Sequence, residues 1–226
     1  MFTEDSVDGF IHCAFLRGRG LSAEEVRQRP VIGICSSWSE LNPCNAGLDT
    51  VAAAVTRGVT EAGGLPVVFP MISISEPFTR PSSLLLRNLM AMDVEQMIVS
   101  SPIDAVVLLG GCDKTVPAQL VGAISADKPA VVVTAGPRPV GNWDGEPLTV
   151  DDLWPFADRR RQGRVSEQGV AAPGGAPLSR RRYVQRHGHR CHHGCRGRTA
   201  RIRLARGRPS WSTRAPSRMR FVSSAR

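Results

Sequence analysis

An open, mostly parallel β-sheet with helices on both faces is the fold class this 226-residue chain predicts, and three observations carry it. Apolar runs of four to six residues alternate with longer stretches of helical spacing, the pattern of successive βαβ units. The run at 105–109, Ala-Val-Val-Leu-Leu, has no polar residue at alternate positions, as expected of a strand buried on both faces. It ends in Gly110-Gly111, and Cys112, Asp113 and Lys114 follow at once. In open α/β sheets, ligands bind beyond the carboxyl ends of strands, where this trio falls.

Taken in order, residues 5–29 read as a short helical arm. Ser22 and Glu25 stand at capping-box spacing, and Arg29-Pro30 ends the arm. Residues 31–34 predict a strand, and the polar, proline-containing stretch 35–45 predicts a loop that carries Cys44. Asn45 is placed as the cap of a helix whose Leu48, Val51, Ala52, Val55 and Val59 recur at helical spacing; Gly63-Gly64 closes it. A second strand at 65–69 leads into a loop, 70–81, with Glu76 in it. Residues 82–100 predict a long amphipathic helix with Leu85, Leu89, Met92 and Met97 inward. After the central strand, Thr115 is the expected N-cap and Pro117 falls in the first turn of a helix reaching about Ala126. A fourth strand at 130–134, a Gly/Pro-rich loop at 135–147 and a helix at 153–161 follow, the last introduced by Asp151-Asp152. No internal repeat is present.

Charge divides the chain. Residues 169–226 hold 15 arginines, no lysine and no acid, a net +15; the first 168 hold the other 14 basic residues and all 20 acids, a net −6. Two domains are therefore expected, an α/β unit at 1–168 and an irregular or disordered Arg-rich tail at 169–226, where apolar periodicity is lost. The acidic start lacks the apolar core of a signal peptide, and no apolar run is long enough to span a membrane. A cytoplasmic protein with reduced thiols follows as the expectation, so cysteines read as ligands or core residues. Cys13 and Cys35 are assigned to the core.

Cys44, Glu76, Cys112, Asp113 and Lys114 would all lie after strands, at one mouth of the sheet. Thiolates suit soft iron or zinc and carboxylates suit magnesium, so the mixture suggests an iron–sulfur cluster beside a hard divalent ion. Two thiols fall short of the three or four that a cluster usually takes.

Three segments, R-P-V-I-G-I-C-S-S-W-S-E-L-N-P-C-N (29–45), R-N-L-M-A-M-D-V-E-Q-M-I (87–98) and V-V-L-L-G-G-C-D-K-T-V-P-A (106–118), resemble the dihydroxy-acid and sugar-acid dehydratases. The resemblance covers roughly residues 9–167, and S-I-S-E (73–76) resembles the aldonate branch. It implies that Cys44 and Cys112 are two of three ligands of an iron–sulfur cluster, [2Fe-2S] or [4Fe-4S]. It also implies that Glu76, Asp113 and Lys114 bind Mg2+, Lys114 as a catalytically required carbamate. The implied reaction removes water from a 2,3-dihydroxy or sugar acid to leave a 2-keto acid, in a homo-oligomer. The family's serine base lies in a C-terminal β-barrel domain, for which this sequence has no counterpart. Nor does it contain the T-C-x-x-M-G-T segment that carries the third cysteine, so the chain is expected to be inactive on its own.

The tail admits two other readings. Its arginines suit non-specific contact with nucleic acid phosphates, the alternative function. His187, His189, Cys191, His192, His193 and Cys195 are metal-ligating types, but their spacing matches no common zinc finger. The composition break instead predicts that residues 169–226 are translated one base out of an ancestral frame. Back-translation of 181–198, read one base later, permits a stretch containing T-C-N-V-M-G-T.

Overall fold

The computed structural model describes residues 7–18, 20–135, 141–143, 146–148, 153–164 and 200–202. The N-terminal arm is two helices, α1 (Val7–Arg17) and α2 (Ala23–Gln28). The capping box forms as predicted: the Glu25 backbone N–H donates to Ser22 Oγ (3.1 Å) and the Ser22 N–H to Glu25 Oε2 (3.0 Å). Cys13 and Val26 seat the arm on Val31 and Leu65 of the sheet, so Cys13 is a core thiol.

Strands β1 (Val31–Ser36), β2 (Leu65–Pro70), β3 (Ala105–Gly110) and β4 (Ala130–Thr134) are parallel, in the order β2-β1-β3-β4. β3 shows why its sequence has no polar alternation. Val106 and Leu108 pack with Met90, Val94 and Ile98 on one face, while Val107 and Leu109 pack with Ile34, Leu48 and Ala52 on the other. A strand covered on both sides must be apolar at every position, and truncating such a large core side chain to Ala costs about 2–5 kcal/mol.

Helix α3 (Leu48–Glu61) covers one face, ending before Gly63 at φ 82°. Asn45 is not its cap: the N-cap is Gly47, with no side-chain bond, and the Asn45 side chain is engaged elsewhere. On the other face lie α4 (Arg87–Val99) and α5 (Thr115–Ser125). The N-cap of α5 is Lys114 and not Thr115, which is the first helical residue and fully buried.

The predicted helix over 82–100 differs in two respects. Its first turn is a 3₁₀ segment, Ser83–Leu86, and its inward stripe is Met90, Ala91, Val94 and Ile98. Leu85, Leu89 and Met92 are exposed, and only Met97 of the expected set packs against the core. The cause is close approach to α5. A Cβ on Gly122 would meet the Ala91 carbonyl and, at 2.8 Å, the Val94 side chain, leaving no room there for Leu or Met.

A separate hairpin joins β5 (Gly141–Trp143) to β6 (Glu146–Leu148), and α6 (Leu153–Arg161) follows. In the Arg-rich tail, β7 (Ala200–Ile202) pairs antiparallel with β4 at the sheet edge, a strand that the irregular-tail expectation did not include. The rest of the tail, with its histidines and its cysteines at 191 and 195, and the pair Asp151-Asp152, lie outside the described residues. Among the described residues no helix is long and apolar enough to cross a membrane.

Candidate functional site

Parallel strands of one sheet deliver their carboxyl ends to one edge, and the register here aligns Ser36 of β1 with both Pro70 of β2 and Leu109 of β3. The loop after β1 carries Cys44. The segment after β2 brings Glu76 to the start of a 3₁₀ turn, Glu76–Phe78. β3 runs through Gly110 and Gly111 into Cys112, Asp113 and Lys114, with Lys114 capping α5. All five residues singled out from the sequence meet at this mouth.

One half of the mouth is ionic. Lys114 Nζ lies 2.9 Å from Asp113 Oδ2 and 3.2 Å from Glu76 Oε2. Glu76 is further gripped by its own loop: Ser82 Oγ donates to Oε1 (3.0 Å), and the Ser83 N–H (3.1 Å) and Ser83 hydroxyl donate to Oε2. The Ser83 hydroxyl is the largest cause holding the Glu76 carboxyl down at about 2; partial burial opposes it, and Ser82 and Lys114 assist. Burial pulls the Lys114 amine downward, but the hydrogen bonds and charges of Asp113 and Glu76 outweigh it. The net direction is upward, so Lys114 is an ammonium at neutral pH.

The other half is a thiol pair. Cys44 and Cys112 are in side-chain hydrogen-bond contact, and that contact, followed by burial and by the charges of Cys44 and Asp113, pushes the Cys112 thiol far above its ordinary value. Cys112 also donates to Asp113 Oδ1 at 3.2 Å, which joins the two halves. No disulfide links the pair. Cys35 behaves differently: it is fully buried in the core within β1, and burial first, then the Asp93 charge, pushes it up to about 12. It is the core residue the sequence predicted.

The donor chemistry decides which groups fit. Two carboxylates converge on a single cation position that the Lys114 ammonium fills, so this half suits a hard cation. The thiol pair suits a soft metal. Two thiols do not complete the ligand set of an iron–sulfur cluster, and the other described cysteines, Cys13 and Cys35, are in the core. Among the described residues, no three His, Cys, Asp or Glu side chains are already grouped as a metal site.

Several residues that shape the mouth were not singled out from the sequence as site residues. Ser82 and Ser83 hold Glu76, as above. Asn42 and Asn45 are fully buried and tie the three loops together. Asn42 Nδ2 donates to the Ile74 carbonyl (3.0 Å) and its Oδ1 accepts from the Cys44 N–H (3.1 Å). Asn45 Nδ2 donates to Ser73 Oγ and its Oδ1 accepts from the Gly111 N–H, both at 2.9 Å. A buried amide must find such partners, and the polar character of a proline-containing loop was the available signal. Trp38 is half-exposed beside the loop, its Nε1 donating to the Ala46 carbonyl at 3.2 Å.

The family described as dihydroxy-acid/6-phosphogluconate dehydratase N-terminal matches residues 29–174. L-arabonate dehydratase of Azospirillum brasilense is 46% identical over 165 residues, covering 73% of this chain and 28% of that protein. The 6-deoxy-6-sulfo-D-gluconate dehydratase of Pseudomonas putida is 46% identical over 144 residues, 64% of this chain and 25% of the relative. Dihydroxy-acid dehydratase 2 of Staphylococcus saprophyticus is 32% identical over 162 residues, 70% of this chain and 28% of the relative. The chain thus spans under a third of the length of these curated relatives.

Proposed function

This chain belongs to the dihydroxy-acid/6-phosphogluconate dehydratase N-terminal family, and on that premise we propose that it is the N-terminal α/β part of a cytoplasmic hydro-lyase acting on a sugar acid. The convergence of Cys44, Cys112, Glu76, Asp113 and Lys114 on one mouth is the observation that carries the reading. The aldonate class is favoured over branched dihydroxy acids because identity is 46% to L-arabonate dehydratase and 32% to dihydroxy-acid dehydratase 2.

The reaction breaks the C3–O bond and the C2–H bond of a 2,3-dihydroxy acid, releases water, and leaves an enol that tautomerises to the 2-keto acid. Cys44 and Cys112 would hold the iron–sulfur cluster; Glu76, Asp113 and Lys114 would hold Mg2+, Lys114 as a carbamate. When bound, these groups supply a Lewis acid for the departing hydroxyl and positive charge that acidifies the C2 proton. The chain's own residues set the stage for this. Ser82 and Ser83 keep the Glu76 carboxylate ionised and aimed at the cation position, and Asp113 bridges that position to the Cys112 thiol. Lys114 must lose its proton before it can take up CO2, so replacement of the ammonium by another cation and carbamate formation are coupled.

Of the described cysteines only Cys44 and Cys112 reach the mouth, short of the three or four ligands that a cluster usually takes. We therefore hold that the 226-residue chain by itself does not turn over substrate. Residues 169–226 read as an out-of-frame tail: the family match stops at 174, next to the point where acids vanish. The gene's nucleotide sequence tests that reading, and a stop codon in the shifted frame before the T-C-x-x-M-G-T segment would end it.

The site reading is tested by anaerobic reconstitution of the full chain with iron and sulfide. Iron retained by the parent and lost in both Cys44→Ser and Cys112→Ser is the expected result. Equal iron in all three proteins would overturn the assignment.

A further inference from the structure

We propose that Asn45 is the positioning residue that registers Cys44 against Cys112, a proposal that rests on reading the two thiols as one binding site. The thiols come from loops far apart in the chain, and nothing covalent sets their separation. Asn45 has the geometry to do so. It is fully buried, follows Cys44 directly, and its Oδ1 accepts from the N–H of Gly111, the residue before Cys112. One hydrogen bond of 2.9 Å therefore joins the neighbours of both thiols.

The other end of the amide faces the third loop, where Nδ2 donates to Ser73 Oγ at 2.9 Å. Both ends of the side chain are thus committed, one to each neighbouring loop, which fixes its orientation. Gly111 completes the fit. A Cβ there would collide with the Cys44 carbonyl, so the absence of a side chain lets the two loops touch backbone to backbone. Asn42 braces the arrangement from within the loop, its Oδ1 on the Cys44 N–H and its carbonyl on the Asn45 N–H at 2.8 Å. Helix capping does not account for Asn45, because the N-cap of α3 is Gly47, with no side-chain bond.

Positioning is separable from mere stabilisation by comparing two substitutions. Asn45→Ala removes both bonds. Asn45→Asp keeps an acceptor for Gly111 and lets the Ser73 hydroxyl rotate to donate, so the loop contacts survive. The full chain carrying Cys191→Ser and Cys195→Ser is treated, without iron, with phenylarsine oxide, which bridges two thiols only when they lie close together. Peptide mass analysis follows the rate of the Cys44–Cys112 bridge, and alkylation of Cys13 and Cys35 reports the integrity of the cores.

Asn45→Ala is expected to slow bridging about tenfold or more, as misplacement of reacting groups does, while Asn45→Asp stays within about threefold of the parent. Bridging at the parental rate in Asn45→Ala, or an equal loss in Asn45→Asp, would overturn the proposal. If Asn45→Ala exposes Cys35, Ser73→Ala takes its place. It leaves the Gly111 bond and frees the other end of the amide, so slower bridging with Cys35 protected supports the proposal and unchanged bridging refutes it. Because the assay contains no iron, its outcome is independent of whether the thiols take up a cluster.

Discussion

The two halves of the mouth reach their states by opposite means. The ionic half is charged because every charge has a partner: Glu76 and Asp113 share the Lys114 ammonium, and Ser82 and Ser83 supply further donors. It remains partly open to solvent, with the Glu76 side chain 40% exposed and that of Lys114 13%. In the thiol half the contact with Cys44, and then burial, disfavour the thiolate of Cys112. A site can therefore hold a hard-cation position preformed, with the protein's own ammonium in it. In its soft half the Cys112 thiol stays protonated until a metal displaces the proton.

The largest expected effect is on the thiol half. Gly111→Ala drives a methyl group into the Cys44 carbonyl and, at 2.9 Å, the Ala135 side chain. Backbone must move to accept it, so a loss of about 2–3 kcal/mol is expected, read from urea unfolding midpoints at pH 7. An unchanged midpoint would mean that the two loops are not locked as described.

Lys114→Met attacks the ionic half. Two carboxylates are left facing each other without their cation, the situation in which a broken ion pair is costly. The exposure of Glu76 screens part of that cost, and about 1–2 kcal/mol is expected at pH 7. The defect should shrink when Mg2+ is added at millimolar concentration, since a divalent cation can take the vacated position. Salt at equal ionic strength serves as the control, and equal relief by both would show screening alone.

The smallest effect sharpens the comparison through pH. The folded Glu76 carboxyl sits at about 2, below its unfolded value of about 4.3. Its contribution is therefore present above the unfolded value and lost as pH falls through the folded one. Ser83→Ala removes the leading cause of that depression. About 1 kcal/mol of stability is expected to go at pH 7, after allowance for exposure, and the acid limb of the stability curve should move to higher pH. The Lys114 amine, shifted upward, contributes below its unfolded value and loses its contribution only as pH rises through its folded one. Neither change falls between pH 5 and 9, so a midpoint shift confined to neutral pH would contradict both assignments.

Much of the mouth is legible in the chain itself. Cys112, Asp113 and Lys114 are adjacent in the chain and follow a strand that its apolar run identifies, so covalent connectivity alone gathers them. Cys44 and Glu76 were legible because loops after parallel strands must share an edge. Ser82 and Ser83 were not, because residues after Pro81 in a helical pattern read as the start of a helix and not as the grip on a carboxylate. Asn45 was misread as a cap for the same reason. Its amide bonds groups 28 and 66 positions away, and local spacing carries no trace of such partners.

By itself, then, the sequence determined what depends on short-range order: the βαβ alternation, the two-sided burial of β3, the Ser22–Glu25 capping box, the strand-end cluster and the break in charge near residue 168. Tertiary structure decided what depends on which surfaces meet. Helix α4 carries two apolar stripes, and both satisfy helical periodicity. The one with Met90, Ala91, Val94 and Ile98 turned inward because Gly122 brings α5 too close for Leu89 or Met92. Likewise the tie from Asn45 to Gly111, and with it the contact of Cys44 with Cys112, exists only once three loops close over one sheet edge. Periodicity and covalent adjacency are local properties of a chain, whereas steric fit and a buried amide's partners belong to the packed molecule.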